Sequence, residues 1–338
     1  MSVQIETPYL LFLGDSTDPV DAKTARGIHA WRPEQCVAEI AMPGGQSLGL
    51  PVMSPAEAYA AGARTLVVGT VNAGGFLPDQ WLDLLVSGLE AGLDVASGMH
   101  KRLGSIEPLR EAAATHGRRL IDVREPGQDF PVGCGVPRAG KRVLTVGTDC
   151  SVGKMYTSLA LERDLRQRGL DARFKATGQT GILIAGEGVP IDAVVADFIA
   201  GAVETLSPDA PGEWHVIEGQ GSLFHPAYAG VTLGLIHGAQ PDWLVLCHEP
   251  TRPHLRHVPH MRLPSLEKTL RASLDAASLT NPSVRCLGFS FNTSRLDEDA
   301  ARDLLEAVER RHGLPAVDPV RFGVGTLADR LVAEEGLA

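Results

Sequence analysis

Positive charge is in short supply in this chain. Across 338 residues, 31 lysines and arginines face 41 aspartates and glutamates, a net charge of −10. That balance argues against a protein that binds nucleic acid irrespective of sequence, so any anionic ligand has to be gripped by a local cluster of cations. Long apolar runs are missing as well. The N-terminal stretch MSVQIETPYLLFLGD carries no basic leader, and its apolar run is far shorter than the ~20 residues a membrane span needs. A cytoplasmic protein without a membrane partner is the expectation. The five cysteines, at 36, 134, 150, 247 and 286, show no paired spacing, which points away from a disulfide framework or a zinc knuckle and towards reduced, mostly buried thiols. A GxGxxG fingerprint is also lacking, and a dinucleotide site is not expected.

What is present reads as two α/β domains. With 44% hydrophobic and 21% charged residues, and a length beyond the roughly 250 residues at which single cores split, the chain has material for two cores. The stretch PVGCGVPRAG at 131–140 is rich in glycine and proline and marks the boundary, giving a Rossmann-like domain over 1–135 and a second domain over 136–338. In the first half, strands at 9–13, 65–68, 93–96 and 120–123 alternate with helices at 55–62, 81–91 and 108–116, a pattern that predicts a parallel sheet. Ligands of such sheets lie at the carboxyl ends of the strands. Asp15, residues 72–75 and residues 97–102 form that edge here.

The second domain opens on the most informative stretch, KRVLTVGTDCSVGKMYTS at 141–158. An apolar, β-branched run reads as a buried strand, and Met155 onward reads as an unbroken helix. Between them lie Gly147, Thr148, Asp149, Cys150, Ser151, Val152, Gly153 and Lys154. Strand, glycine loop and helix start together make an anion cradle: backbone N–H groups point at a phosphate and the lysine adds a mobile charge. The cradle residues run from Gly147 through Met155 to Tyr156. The loop has one residue more between its glycines than the commonest Walker A spacing, and GTDCSVGK resembles the P-loop of dethiobiotin synthetase. Met155 departs from the pattern. A nucleotide-hydrolysing loop has a Ser or Thr there to hold Mg²⁺, and a thioether is a poor ligand for so hard a cation. Thr157 or Ser158 would substitute only if the helix began later.

Further strands deliver further candidates. Residues 173–177 lead into FKATGQTG, and dethiobiotin synthetase-like proteins carry an FK motif here with the lysine turned into the site. Lys175, Thr177 and Gln179 are accordingly substrate-binding candidates. Residues 191–206 read as one helix bearing Asp192, Asp197 and Glu204, with Asp197 facing the loop end. A strand at 214–217 ends in Glu218-Gly219-Gln220-Gly221-Ser222, with His225 close behind. Glu218 and His225 are the candidate general acid/base residues. The strand at 243–247 empties into HEPTRPHLRHVPH, where Arg252 and Arg256 suit bidentate recognition of carboxylate or phosphate. The four histidines of that run share no helical face because prolines interrupt it, and no metal is expected. Residues 287–292 form a fifth strand ending at Asn292, a candidate base contact, and 296–311 a helix opened by Asp297, Glu298 and Asp299. A last strand, turn and helix occupy 319–331.

Taken together, the motifs VGTDCSVGKM, FKATGQTG, IEGQGSLFHP and HEPTRP resemble the DgcN family of D-glutamate N-acetyltransferases, long catalogued as a domain of unknown function. The resemblance spans nearly the whole chain. It implies an α/β protein with a Rossmann-like domain followed by a P-loop domain, and transfer of an acetyl group from acetyl-CoA to D-glutamate by a homodimer or higher homo-oligomer. CoA carries phosphates that need a cradle but no Mg²⁺, which suits Met155. Lys175 and Arg252 would then clamp substrate carboxylates, and the N–H groups of 219–222 would face the oxyanion. Two other readings stand beside it: an ATP-dependent ligase or kinase of the dethiobiotin synthetase type, and a non-catalytic nucleotide-binding switch.

Overall fold

The structure is a computed structural model that describes residues 3–15, 21–70, 77–99 and 101–336. It divides into two compact units. One comprises the chain up to Gln128 together with Gln179–Ala193, and the other Asp129–Gly178 with the chain from Val194 onward.

In chain order, the first unit begins with β1 (Val3–Gln4), β2 (Tyr9–Phe12), α1 (Lys23–Trp31), β3 (Cys36–Ile40), α2 (Pro55–Ala60), β4 (Thr65–Val68), α3 (Asp79–Glu90), β5 (Asp94–Ser97), α4 (Glu107–His116) and β6 (Leu120–Asp122). Strands β3-β2-β4-β5-β6 form one sheet, and every pairing in it is parallel. Residues of β2, β4 and β5 are buried without alternation, as expected where helices cover both faces. Leu10, Phe12, Leu66, Trp81 and Leu85 belong to its core, where Trp81 meets Phe12 edge-on at 5.1 Å. Local signals set the helix ends. Ser54 and Glu57 close a capping box ahead of α2, and Gly117 ends α4 in the left-handed conformation that glycine adopts without strain.

The second unit starts with β7 (Lys141–Gly147), α5 (Lys154–Gln167) and β8 (Ala172–Lys175). The chain then enters the first unit for α6 (Gln179–Ala185) and β9 (Glu187–Gly188), which pairs antiparallel with β1. It returns with α7 (Ile199–Leu206), β10 (Trp214–Ile217), α8 (Ala229–Ala239), β11 (Trp243–His248), the ribbon β12 (His254–Leu255) and β13 (Val258–Arg262), α9 (Leu266–Ser278), β14 (Arg285–Phe291), α10 (Glu298–His312), β15 (Ala316–Val317) and α11 (Gly325–Glu334). Six strands pair in the order β15-β14-β11-β7-β10-β8, all in parallel. Strand β7 sits between β10 and β11. The chain leaves β7 towards β8 on one side and later reaches β11 on the other, so the carboxyl end of β7 is the switch point where an open α/β sheet receives its ligand.

Several expectations need correction. Residues 191–206 do not form one helix. Short 3-10 turns at Ile191–Ala193 and Ala196–Phe198 precede α7, which starts only at Ile199; the chain passes from one compact unit to the other between Ala193 and Val194, where a continuous helix has no single core to pack on. Asp197 is exposed on the second turn rather than facing the loop. Strand β3 and helices α1, α8 and α9 add to the elements read from sequence. Residues 72–75 of the anticipated first-unit edge lie outside the described residues, as does position 100 within 97–102. Asp15 is exposed and accepts a hydrogen bond from Gln80 Nε2.

Candidate active site

Helix α5 begins at Lys154, with Gly153 at its N-cap in a left-handed conformation (φ 104°) and no side chain capping it. Ser151 is also left-handed, with φ 53°. Alternating left-handed residues turn successive N–H groups to one side, the geometry of an anion-binding nest at a helix start. The loop is held from behind. Asp149 is fully buried; its Oδ1 accepts from the Cys150 N–H at 2.7 Å, and its Oδ2 accepts from Arg252 Nη1 at 2.8 Å and from the Arg256 N–H at 2.7 Å. Arg252 also donates to the Cys150 carbonyl at 2.7 Å, to the Ser151 carbonyl at 3.1 Å, and to Glu249. Its guanidinium therefore stitches the β11–β12 connection onto the P-loop. Thr148 Oγ1 contacts His248 Nδ1 at 2.9 Å, and burial pushes His248 down to about 4. That imidazole is neutral.

Lys154 is buried, and its Nζ donates to the carbonyls of Asp149 and Gly221 at 2.8 Å each. Burial lowers its pKa, against the pull of Asp149 and Glu218. Those carbonyls hold the ammonium where an incoming phosphate can take it over. Met155, half-buried in the first turn, offers only its sulfur, and neither neighbouring hydroxyl can take the place of the missing one. Thr157 Oγ1 donates to the Gly153 carbonyl at 3.0 Å and meets Ser290 Oγ at 2.8 Å, while Ser158 Oγ contacts Thr145 Oγ1 at 3.1 Å.

Glu218 directly follows β10. Its carboxylate Oε2 accepts from the N–H groups of Thr177 at 3.0 Å and Gly178 at 3.1 Å. Thr177 Oγ1 donates to the Glu218 carbonyl at 2.6 Å and accepts from Gln220 Nε2 at 3.2 Å. Burial nevertheless raises the Glu218 pKa to about 7, against the lowering influence of those two N–H groups and of Lys154. Two glycines make room for this arrangement. A side chain on Gly219 would put its Cβ 1.7 Å from the Thr145 carbonyl oxygen, and one on Gly178 would come within 2.5 Å of Gln220 and 3.2 Å of Glu218.

The other candidates fall into two groups. His225 stands close to the loop, but its ring is committed: Nδ1 accepts from the Ala227 N–H at 3.2 Å, so Nε2 carries the proton and faces the Arg256 carbonyl at 3.0 Å. Asp149, Cys150 and His225 bring potential ligand atoms within 4.8 Å of one another. As a metal site the cluster is poor, since Arg252 and backbone N–H groups already fill the Asp149 carboxylate, both His225 nitrogens are engaged, and burial raises the Cys150 thiol. Lys175 is half-buried at the end of β8, in register with Ile217, and its carbonyl accepts from the Glu218 N–H at 3.0 Å. Gln179 belongs to the first unit, as the first residue of α6. Asn292 turns its Oδ1 to the Ser294 N–H at 3.2 Å. Missed in the sequence were Thr145, whose Oγ1 accepts from the Gly219 N–H at 2.9 Å, the buried Glu249 and the half-buried His248. Only Glu249 left a legible signal, an acid directly after a strand and three positions before an arginine.

A P-loop α/β unit and a Rossmann-like unit, with Lys154 opening the helix after the loop and Met155 where a metal-binding loop has a hydroxyl, define the class of the chain: a two-unit α/β protein with a P-loop. Models of two domains match, one described as a Domain of unknown function (DUF1611_C) P-loop domain over residues 131–328 and the other as a DUF1611_N Rossmann-like domain over 34–126. The chain belongs to the DUF1611 family. It is 53% identical over 331 residues to a protein of Tritonibacter scottomollicae named D-glutamate N-acetyltransferase, covering 97% of this chain and 99% of the relative. A protein of the same name from a Pseudoalteromonas species is 48% identical over 331 residues, covering 97% and 100%. A crystal structure of a DUF1611 family protein from Anabaena variabilis superposes with a TM-score of 0.82 at 34% identity, covering 97% of this chain and all of the other.

Proposed function

We propose that this protein is a D-glutamate N-acetyltransferase that uses acetyl-CoA as donor. The activity rests on the two relatives of that name, at 53% and 48% identity over nearly full length. One observation in the structure supports the chemistry most directly: a buried carboxyl, Glu218, poised near pH 7 beside an anion cradle that lacks a metal post.

Attack of the D-glutamate nitrogen on the thioester carbonyl forms the C–N bond and expels the CoA thiol, and the nitrogen must shed a proton on the way. A general base works best with a pKa near the working pH. Glu218 has that value. In this reading it takes the ammonium proton, directly or through one water, while Thr177 and Gly178 hold its carboxylate in place. The 147–156 loop binds donor phosphates through its N–H groups and Lys154. Because the phosphates of CoA need no Mg²⁺, Met155 costs nothing here, whereas an ATP-dependent ligase would need the hydroxyl it replaces. His225 serves to position Arg256 rather than as the base, since both its nitrogens are engaged. Arg252 likewise holds the loop, through Asp149, in place of the carboxylate clamp anticipated from sequence. Lys175 shares a strand face with His215, whose pKa its charge helps to lower, and is not assigned to the acceptor.

The test is direct. The purified protein, given acetyl-CoA and a panel of D- and L-amino acids with a thiol reporter, should release thiol with D-glutamate and insensitively to EDTA. Mg²⁺-dependent release of ADP from ATP, with no thiol from acetyl-CoA, would establish the ligase reading in its place.

A further inference from the structure

Glu218 uses its two carboxyl oxygens unequally. Oε2 accepts from the N–H groups of both Thr177 and Gly178, at 3.0 and 3.1 Å, and these bonds leave Oε1 out. Oε1 lies 3.2 Å from the point that a Cβ on Gly178 would occupy, and the amide nitrogen of Gln220 lies 2.5 Å from that same point. The carboxyl and the Gln220 amide thus converge on the space that the missing side chain leaves open.

Gln220 is built into that position. Two glycines anchor its flanks: Gly219 donates its N–H to Thr145 Oγ1 at 2.9 Å, and Gly221, at φ 65°, sits where a Cβ would come within 2.6 Å of Thr232 Oγ1. The Gln220 carbonyl accepts from Thr232 Oγ1 at 2.8 Å. Its side chain is oriented by Thr177. That hydroxyl donates its proton to the Glu218 carbonyl at 2.6 Å and so can only accept, which requires the Gln220 group 3.2 Å away to be the amide nitrogen and not the oxygen. One N–H of this nitrogen faces Thr177. The other is left for Glu218, and the amide favours the ionised carboxylate.

We infer that Gln220 is a positioning residue for Glu218, holding the carboxyl so that Oε1 is the oxygen that takes and returns the proton while Oε2 stays a fixed acceptor. This rests on the assignment of Glu218 as the base. A protonated carboxyl has one O–H donor and one oxygen left to accept, and Oε2 already accepts twice. The proton of neutral Glu218 therefore sits on Oε1, on the Gly178 side, and the substrate nitrogen or a bridging water meets the base there. With its donor turned to that oxygen, Gln220 opposes protonation. Lys154, at the start of α5, is the charged neighbour that acts in the same sense, whereas Lys175 of β8 bears on His215.

The experiment follows the rate against pH with acetyl-CoA and D-glutamate for Gln220→Met, which keeps the length of the side chain and removes the donor. The rise of rate with pH should begin roughly one pH unit higher than in wild type, the size of a single hydrogen bond. On the acid side this reads as about a tenfold loss that shrinks as the pH climbs. Gln220→Glu, which sets a second carboxyl beside the first, should move the rise further in the same direction. Carboxyl-carbon NMR titration of both variants, with the Glu218 signal assigned by its absence from Glu218→Gln, should show the same shift without turnover. A loss of rate equal at every pH, with Glu218 titrating as in wild type, would overturn the role of Gln220 and leave the base assignment standing. A shifted Glu218 titration beside an unshifted rate profile would support Gln220 and overturn Glu218 as the base.

Discussion

The two ends of the six-stranded sheet bury similar residues to different effect. At the amino end, Arg142 is buried and its guanidinium donates to Ser207 Oγ at 3.0 Å and to the carbonyls of Arg138, Ala139 and Pro208 at 3.1, 3.1 and 2.9 Å. Ser207, His215 and Glu213 even line up as a hydroxyl, an imidazole and a carboxylate, with contacts of 2.7 and 3.1 Å. A hydrolytic relay has the same residue types. Here, however, Ser207 is fully buried, its oxygen accepts from Arg142, and burial pushes His215 down to about 4. The donors of Arg142 and both nitrogens of His215 are matched within the fold. At the carboxyl end, Lys154 and Glu218 are buried with partners drawn mainly from backbone groups of loops, glycines among them. Buried charge alone does not mark a site. In the proposed reading, what distinguishes the carboxyl end is a charge whose protein partners a ligand can replace, near a carboxyl whose pKa burial raises to about 7.

The largest expected effect that tests this contrast comes from Glu218→Gln. Loss of a general base typically lowers rate by about 10²–10⁴-fold, so kcat should fall by that order while KM for acetyl-CoA stays near wild type. The wild-type rate should rise with pH through about 7 as the carboxyl ionises. The sign for stability is the opposite one. A carboxyl raised from 4.5 to about 7 keeps its proton in the native state where the unfolded chain has released it, so stability falls as pH climbs through that window. Glu218→Gln should flatten both profiles. Retained kcat in this variant, with loss in His225→Ala, would move the base to the histidine.

Next in size is Arg252→Ala, which removes the cationic partner of the buried Asp149 carboxylate and leaves its Oδ2 only the Arg256 N–H. Removing one partner of a buried ion pair costs about 3 kcal/mol or more, read as a fall in the unfolding midpoint in denaturant, and the slackened loop should raise KM for the donor. An increase confined to D-glutamate, without loss of stability, would restore Arg252 as a substrate clamp. Lys154→Ala should raise KM for acetyl-CoA by about tenfold through loss of a charged hydrogen bond, with the fold intact by circular dichroism. The amino end should behave in reverse. Ser207→Ala leaves a donor of Arg142 and the Nδ1 of His215 unmatched, which costs about 1–3 kcal/mol of stability, yet kcat should stay within about twofold of wild type.

That difference between the ends also explains what could be read from the chain. The P-loop, its lysine and the strand-end Glu218 were legible because each is a short local pattern: an apolar run, glycines at a set spacing, a helix start. The pairing of Asp149 with Arg252 spans 103 positions in the sequence, and no local pattern reports a partner so distant, which is why Arg252 read as a free clamp. His225 was singled out by type, but its commitment depends on the Arg256 carbonyl 31 positions away. Helix α8, AGVTLGLIHGA, escaped notice because it is apolar almost all round and carries three glycines, so neither periodicity nor propensity announced it.

The smallest expected effect concerns Met155, and it tests whether the carboxyl end is a metal site in disguise. Met155→Ser restores the hydroxyl that P-loop enzymes use to hold Mg²⁺. If the cradle serves CoA phosphates, the new hydroxyl has nothing to coordinate, and thiol release should stay within about twofold of wild type and remain insensitive to EDTA. Thr157 cannot already be filling that role, because its hydroxyl is fixed between the Gly153 carbonyl and Ser290. The acidic groups bear on the same point: Asp149 Oδ2 is held by Arg252 and the Arg256 N–H, and Glu218 Oε2 by the N–H groups of Thr177 and Gly178. A large Mg²⁺-dependent gain in ATP binding by Met155→Ser, measured by calorimetry with and without EDTA, would show that only one side chain separates this loop from a nucleotide-hydrolysing one. The expected result is no such gain, since a hydroxyl alone supplies one ligand of the six that Mg²⁺ requires.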